Sequence, residues 1–290
     1  MKAHRNEFPI EKMAKTLGVS RSGYYKYINR AESTRTLVNK ALLDEIKKIY
    51  AQNRGVYGSP RISKALKKAG HAASRKRVAR LMRESGIQSK IRKKWKPGIS
   101  KGSNKENIIV APNLLQQNFQ TTAENLVWVS DITYIHTKES WLYVAAILDL
   151  YSRKIVGLAM SNKPDTALTL QALSQAICHR QPKPGLILHS DRGCQYTSFQ
   201  YREFVRKCGI VQSMSAKGNC YDNAPMESFF HTLKTEHVFF CDYLTREQAK
   251  RSIFEYIEVF YNRQRLHSAI DYHSPAEFEL QGYANKSNQY

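Results

Sequence analysis

Residues 126–160 read LVWVSDITYIHTKESWLYVAAILDLYSRKIVGLAM. Three apolar, β-branched and aromatic runs, 126–136, 141–152 and 154–160, are separated only by short polar connections, the pattern of an antiparallel meander. An amphipathic helix follows, DTALTLQALSQAICHR (165–180). Next come a buried strand GLILHSD (185–191), a helix FQYREFVRKCG (199–209) and a last strand IVQSMS (210–215). Strands alternating with helices after a meander predict an α/β fold of order β-β-β-α-β-α-β. That order describes a ribonuclease-H-like core, a mixed five-stranded sheet with flanking helices whose parallel pairing begins after the first helix.

The topology gives particular acids a meaning. Asp131 lies within the first strand and Asp191 ends the fourth. Those strands are expected to be parallel neighbours, so the two aspartates sit side by side. The next segment, SMSAKGNCYDNAPMESFFHTLKTE (213–236), turns sharply at Gly and Asn and enters a helix with Pro225 in its first turn. This swings Glu227, 36 positions after Asp191, back over the sheet edge. Taken singly, an aspartate at a strand end is an ordinary cap. Three converging carboxylates repel and raise one another's pKa values, a cost that divalent cations remove. Hard oxygen ligands suit Mg²⁺ or Mn²⁺. Two such ions about 3.5–4 Å apart can activate an attacking oxygen and stabilise a leaving one in phosphodiester displacement. Asp131, Asp191 and Glu227 are therefore the expected catalytic residues and metal ligands. Lys234 stands seven positions beyond Glu227 on the same helix face, about 10.5 Å along the axis. It is either a grip on a phosphate or a plain surface lysine.

Outward from the core, the charge is lopsided. The 290 residues carry a formal charge of +22. Residues 1–120 hold 28 Lys and Arg against 7 Asp and Glu, whereas residues 121–290 hold 18 against 17. A basic arm on a near-neutral domain points to a bound polyanion. Within it, IEKMAKTLGVSRSGYYKYIN (10–29) reads as a helix-turn-helix. Ala14 lets the helices approach, Gly18 makes the turn and Ser20 caps the second helix, which presents Arg21, Ser22, Tyr24 and Lys26. A second helical unit covers residues 40–86. Ile62, Leu66, Val78, Leu81 and Met82 form its apolar stripe. Lys64, Lys67, Lys68, Arg75, Lys76, Arg77, Arg80 and Arg83 form a cationic face whose repulsion phosphates would relieve. The division expected is 1–35 helix-turn-helix, 36–90 second DNA-binding unit, 91–121 basic linker, and 122–290 catalytic core with a helical extension.

The five cysteines are odd in number and without a CxxC pair, which argues for a reducing compartment and against a disulfide framework or zinc knuckle. No apolar run reaches membrane-span length, and MKAHRNEFPIEK has no signal-peptide core. A soluble intracellular protein is expected.

The set WVSDITYI, LHSDRGCQYTS, GNCYDNAPMESFFHTLKTE and YNRQRLHSAIDYHSPAEF resembles the integrase-type core of insertion-sequence transposases. Within these it is similar to the downstream-frame (OrfB-type) product of the IS-three family, relatives of retroviral integrases. The 35 residues between Asp191 and Glu227 match that family's D,D(35)E pattern, and Lys234 matches its following basic residue. The resemblance runs from about Ile10 to Phe278. It implies Mg²⁺-dependent cleavage and strand transfer on DNA, at the terminal inverted repeats of a mobile element and then at target DNA. It also implies a homo-oligomer on DNA, an upstream (OrfA-type) partner or fusion, and a place in the bacterial cytoplasm at the nucleoid. A ribonuclease-H-like nuclease would share the acids but not need the basic arm, and a DNA-binding regulator would need the arm but not the acids. Tyr261, Asn262, Arg263, Arg265 and His267 in YNRQRLHSAIDYHSPAEF either pack on the core or touch DNA; they are not read as catalytic.

Overall fold

The computed structural model describes residues 1–90 and 110–287. Five helices come first: α1 (Ile10–Thr16), α2 (Arg21–Ile28), α3 (Thr34–Gln52), α4 (Ser59–Lys68) and α5 (Arg75–Glu84). The serines before α2, α3 and α5 accept hydrogen bonds from backbone N–H groups of the first turn, as N-caps do. Gly18 takes φ +64° between α1 and α2.

The core contains β1 (Val127–His136), β2 (Trp141–Asp149), β3 (Ile155–Ser161), α6 (Thr166–Arg180), β4 (Ile187–Ser190), α7 (Cys194–Thr197), α8 (Phe199–Lys207), β5 (Val211–Met214) and α9 (Ala224–Glu236). The sheet order is β3-β2-β1-β4-β5, with β1, β2 and β3 antiparallel and β1, β4 and β5 parallel. This is the ribonuclease-H-like arrangement that the pattern of runs predicts. Both faces are covered, so alternate residues of β2 enter different cores. Ala145 and Ile147 join α6 and α8, whereas Val144, Ala146 and Leu148 join α9. A methyl group on Gly157 would lie 2.4 Å from the Ala172 carbonyl oxygen, so only glycine lets α6 come this close to β3.

The chain then forms α10 (Arg246–Glu255), a π-helical continuation Tyr256–Tyr261, and α11 (Pro275–Ser287). No helix among the described residues is long and apolar enough to cross a membrane. Of the linker expected over 91–121, residues 91–109 lie outside the described residues. From Val110 onward the chain is not a free linker but packs on the core. Leu115 is buried, Pro112 accepts from Met214 N, and Leu114 N donates to Ser213 Oγ.

The segment 261–278 ties these parts together. Asn262 pairs with Ile155 like a short strand, its Oδ1 accepting from Ile155 N (2.9 Å) and its Nδ2 donating to Ile155 O (3.0 Å). Arg265 grips Glu236 at the end of α9 through two 2.7 Å bonds. Tyr256 also donates to Glu236 (3.0 Å), and Arg61 of α4 reaches it at 3.4 Å. Arg61 donates to Leu266 O and the Tyr57 hydroxyl accepts from Leu266 N, so the second helical unit is latched to the core. Burial alone would raise the Glu236 pKa, but Arg265 and Arg61 hold it below the ordinary carboxylate value. Removing the carboxylate charge leaves Arg265 buried without its partner, which costs about 3–5 kcal/mol. Glu236→Gln should lower stability by that amount in a urea or thermal melt; an unchanged midpoint would show that the latch carries no weight.

Candidate active site

The register of the parallel pair β1–β4 sets the two aspartates. Val127 pairs with Ile187, Trp128 with Leu188 and Val129 with His189; the same register carried two residues beyond the ladder brings Asp131 to Asp191, whose charge acts on it. β1 runs on to His136 beside β2, so Asp131 lies in mid-strand, whereas Asp191 stands one residue past the end of β4. Asp131 Oδ1 accepts from Ile132 N (2.8 Å) and Asp191 Oδ1 from Gly193 N (3.0 Å). A Cβ on Gly193 would fall 3.0 Å from that same oxygen, which explains the glycine in the DRG turn.

The loop before α9 is organised by a residue that the sequence reading passed over. Asp222 is buried and accepts from Ala216 N (2.7 Å), Asn219 Nδ2 (2.9 Å), Asn113 Nδ2 (2.9 Å) and Gln117 Nε2 (3.1 Å). Its neighbour Asn223 donates to Ser130 O (3.2 Å), beside Asp131, while Asn223 Oδ1 is buried without a hydrogen bond among the described residues. The signal available in sequence was the polar run GNCYDN itself, four hydrogen-bonding side chains at a sharp turn. This scaffold aims α9, whose Phe229, Phe230 and Leu233 pack with Val129 beneath the site.

Electrostatics shows which residues are brought together. Burial pushes the Asp131 carboxyl up to about 8, reinforced by the charge of Asp191 and then Glu227, and opposed by the Ile132 N–H and by Lys234. Burial also raises Asp191, against the Gly193 N–H, and partial burial raises Glu227. Lys234 is lowered by burial, against the pull of Asp131, and its ammonium lies 5.0 Å from the centre of the Tyr134 ring. The three acids and the lysine therefore share one electrostatic site, with Asp191 and Glu227 on its exposed side and Asp131 half-buried. Among the described residues no three His, Cys, Asp or Glu side chains are drawn into a closed set that could hold a metal ion.

The basic face divides. Arg77 is committed to Asn39, Lys68 to Glu277 and Arg80 to Glu84, and Lys64 lies over Tyr272. Lys67, Arg75, Lys76 and Arg83 are exposed with no acidic partner among the described residues. On α2, Arg21 pairs with Glu11 (3.3 Å), Ser22 Oγ donates to Ser20 Oγ, and half-buried Tyr24 meets Tyr25 edge-on. Lys26 stays exposed beside Tyr27 and Arg30.

Comparison with known proteins agrees with this architecture. Two family models, each described as "Integrase core domain", match residues 121–220 and 227–282, and an "HTH-like domain" matches 38–95. The protein is thus an integrase-core protein with a helix-turn-helix-like domain in front. A 31 kDa protein of insertion element IS600 from Shigella sonnei is 44% identical over 92% of this chain and 97% of its own length. Transposase InsF of IS3A from Escherichia coli K12 is 37% identical over 97% of both chains. The chain belongs to the IS3 family of insertion-sequence transposases. Among solved structures, the HTLV-2 integrase catalytic core domain in complex with magnesium matches with a TM-score of 0.42 and 16% identity, over 53% of this chain and 96% of that one.

The raised Asp131 pKa has a measurable consequence. The folded chain holds that proton more tightly than an unfolded chain does, so stability falls as pH climbs from the ordinary carboxylate range through about 8. In chelator, Asp131→Asn should melt above the wild type, with a gap that widens from pH 5 to pH 8 and levels off beyond. For a chain of this size each kcal/mol relieved raises Tm by roughly 2–4 °C. A gap independent of pH would remove Asp131 from the repelling cluster.

Proposed function

We propose that Asp131, Asp191 and Glu227 form the catalytic triad of this transposase and hold two divalent metal ions, Mg²⁺ or Mn²⁺, for cutting and joining DNA at the ends of an insertion sequence. The observation that carries this reading is the placement of Asp131 in β1, Asp191 just past β4 and Glu227 in the first turn of α9, close enough that both other acids raise the Asp131 carboxyl. Such a cluster is costly unless cations neutralise it. The donor chemistry fits the ions, since three carboxylates offer hard oxygens, and the exposed Glu227 is the ligand that closes the set.

When bound, the ions lower the pKa of the attacking hydroxyl and take up charge on the leaving oxygen. The chain's own residues do the rest. Asp131 and Asp191, fixed by the sheet register, set where the phosphodiester lies, and Asp131 releases its proton as the cluster is neutralised. Lys234 sits within the field of Asp131 and supplies a cation for a phosphate next to the scissile bond. In hydrolysis one P–O bond forms to water and one breaks, freeing a 3′-OH. In joining, that 3′-OH forms the new P–O bond and another 3′ oxygen leaves. The basic helices, with exposed Lys67, Arg75, Lys76 and Arg83 on one unit and Lys26 on the other, hold the duplex by its phosphates. Copies of the chain work together on the paired element ends.

The test is strand transfer with labelled element ends. Asp131→Asn, Asp191→Asn and Glu227→Gln should each lose cleavage and joining by at least about a thousandfold while binding DNA, because each loss dismantles the site. Mg²⁺ or Mn²⁺ should be required, and Ca²⁺ should support binding alone. Lys234→Ala should reduce joining only several-fold. Near-normal joining by any of the three acid variants, or turnover in excess chelator, would refute the assignment.

A further inference from the structure

A second cluster of charge lies on the other side of α9 and belongs to neither the triad nor the exposed basic helices. A cavity of about 250 Å³ is lined by Arg61 of α4, Arg153 of the β2–β3 turn, Arg265 and His267 of the carboxyl-terminal segment, and Ser228 and Thr232 of α9. Three guanidiniums thus come from three distant parts of the chain. Two of them share a counter-charge. Glu236 takes both bonds from Arg265 at 2.7 Å and a weaker contact from Arg61 at 3.4 Å.

Arg153 is left over. Its guanidinium makes no hydrogen bond or ion pair among the described residues, although the residue is half-buried. Asp149, the carboxylate whose charge it feels, is buried and already accepts from Asn125 N, Tyr151 N and Trp128 Nε1. His267 adds no anion; burial and the charges of Arg265, Arg61 and Arg153 keep it neutral. The backbone of Arg153 is fixed in the turn, with φ +62° and its N–H bonded to Asp149 O at 2.9 Å. A half-buried cation that has no hydrogen bond or ion pair among the described residues, on a cavity lined by two further arginines, is poorly satisfied by the chain alone, and a bound anion supplies the missing partner.

We propose that this cavity is a phosphate-binding subsite that takes one backbone phosphodiester of the DNA, gripped by Arg153 with Arg61 and Arg265 and by the hydroxyls of Ser228 and Thr232. Guanidinium forks match phosphate oxygens two at a time, which a lysine cannot do. The place in the fold favours DNA as the source. Ser228 is the residue after Glu227 on α9, about 100° further round the helix, so a strand that crosses the site at Glu227 and bends round α9 comes to the cavity. Arg61 comes from the helix-turn-helix-like unit, so a phosphate seated here also joins that unit to the core through the anion. This inference rests on the reading of the chain as a DNA transposase and adds to it a contact that fixes the register of the strand.

The experiment uses the full chain and a duplex carrying the element's own end, with binding followed by fluorescence anisotropy across a salt series. Arg153→Gln should bind roughly tenfold more weakly. Its log–log salt slope should be smaller by about 0.9, the contribution of one phosphate. Arg153→Lys should recover the slope and part of the affinity. Replacing single phosphates by neutral methylphosphonates should reveal one position, near the end, that weakens wild-type binding but has no further effect on Arg153→Gln. Equal slopes and equal methylphosphonate profiles for wild type and Arg153→Gln would overturn the subsite. So would an Arg153→Gln variant that binds DNA normally but loses self-association, since the cavity would then take an acidic side chain of a second copy. If the wild type itself failed to bind the element end, the transposase reading would fall rather than the subsite alone. The readout is binding, so it does not depend on whether the carboxylates perform the chemistry.

Discussion

An aspartate in β1 and another just past the end of the adjacent parallel strand repel, and a sheet cannot relax that repulsion by letting its strands slide apart. The β1–β4 register that sets Asp131 beside Asp191 is also what holds Val129 and Trp128 in the two cores, so moving the acids would mean unpacking both faces of the sheet. The structure keeps the unfavourable pair and surrounds it with polar contacts: the Ile132 and Gly193 N–H groups on the carboxylates, and Asn223 on the neighbouring Ser130 carbonyl. Strain of this kind persists where the surroundings over-determine it, and it concentrates at sites that act on a ligand. The proposed metal ions are the ligand that would turn this cost into binding energy.

The same logic appears on the far side of α9. One helix presents Glu227 and Lys234 to the acidic site while Ser228 and Thr232 face the arginine cavity, and its last residue, Glu236, receives Arg265, Tyr256 and Arg61. An acidic site and a cationic site therefore share a single rigid rod, anchored at its start by the Asp222-centred loop and at its end by the arginine latch. DNA held by the basic helices, as proposed, would reach the core across a junction already fixed in geometry, which is what phosphodiester chemistry demands of its positioning groups.

Much of this was legible before any coordinate. Period-two and period-3.6 patterns are local, so the strands, their order and the helices between them could be read from runs such as WLYVAAILDL, and the spacing of Asp131, Asp191 and Glu227 then acquired a geometry. What could not be read was long-range pairing of polar groups. Nothing near Arg61 announces that its partner is Glu236, 175 positions away, or that Tyr57 bonds to Leu266. The cationic face looked uniform because counting charges does not reveal which are already committed; Arg77 and Lys68 hold the fold, whereas Arg75 and Lys76 stay exposed. Residues 110–121 read as linker because Asn, Gln and Pro dominate them, yet Asn113 and Gln117 are the amides that satisfy buried Asp222. A polar segment serving a buried acid and a polar segment in solvent have the same composition.

The central claim is that the clustered carboxylates exist to be neutralised by cations. Its most direct test is titration calorimetry of Mg²⁺ and Mn²⁺ binding at pH 7, repeated in buffers of different ionisation enthalpy so that released protons are counted. The account predicts binding by the wild type with close to one proton released, because Asp131 must give up the proton that its surroundings hold to about pH 8. Asp131→Asn should bind weakly and release none. Tight metal binding with no proton release, or binding by Asp131→Asn equal to that of the wild type, would contradict it.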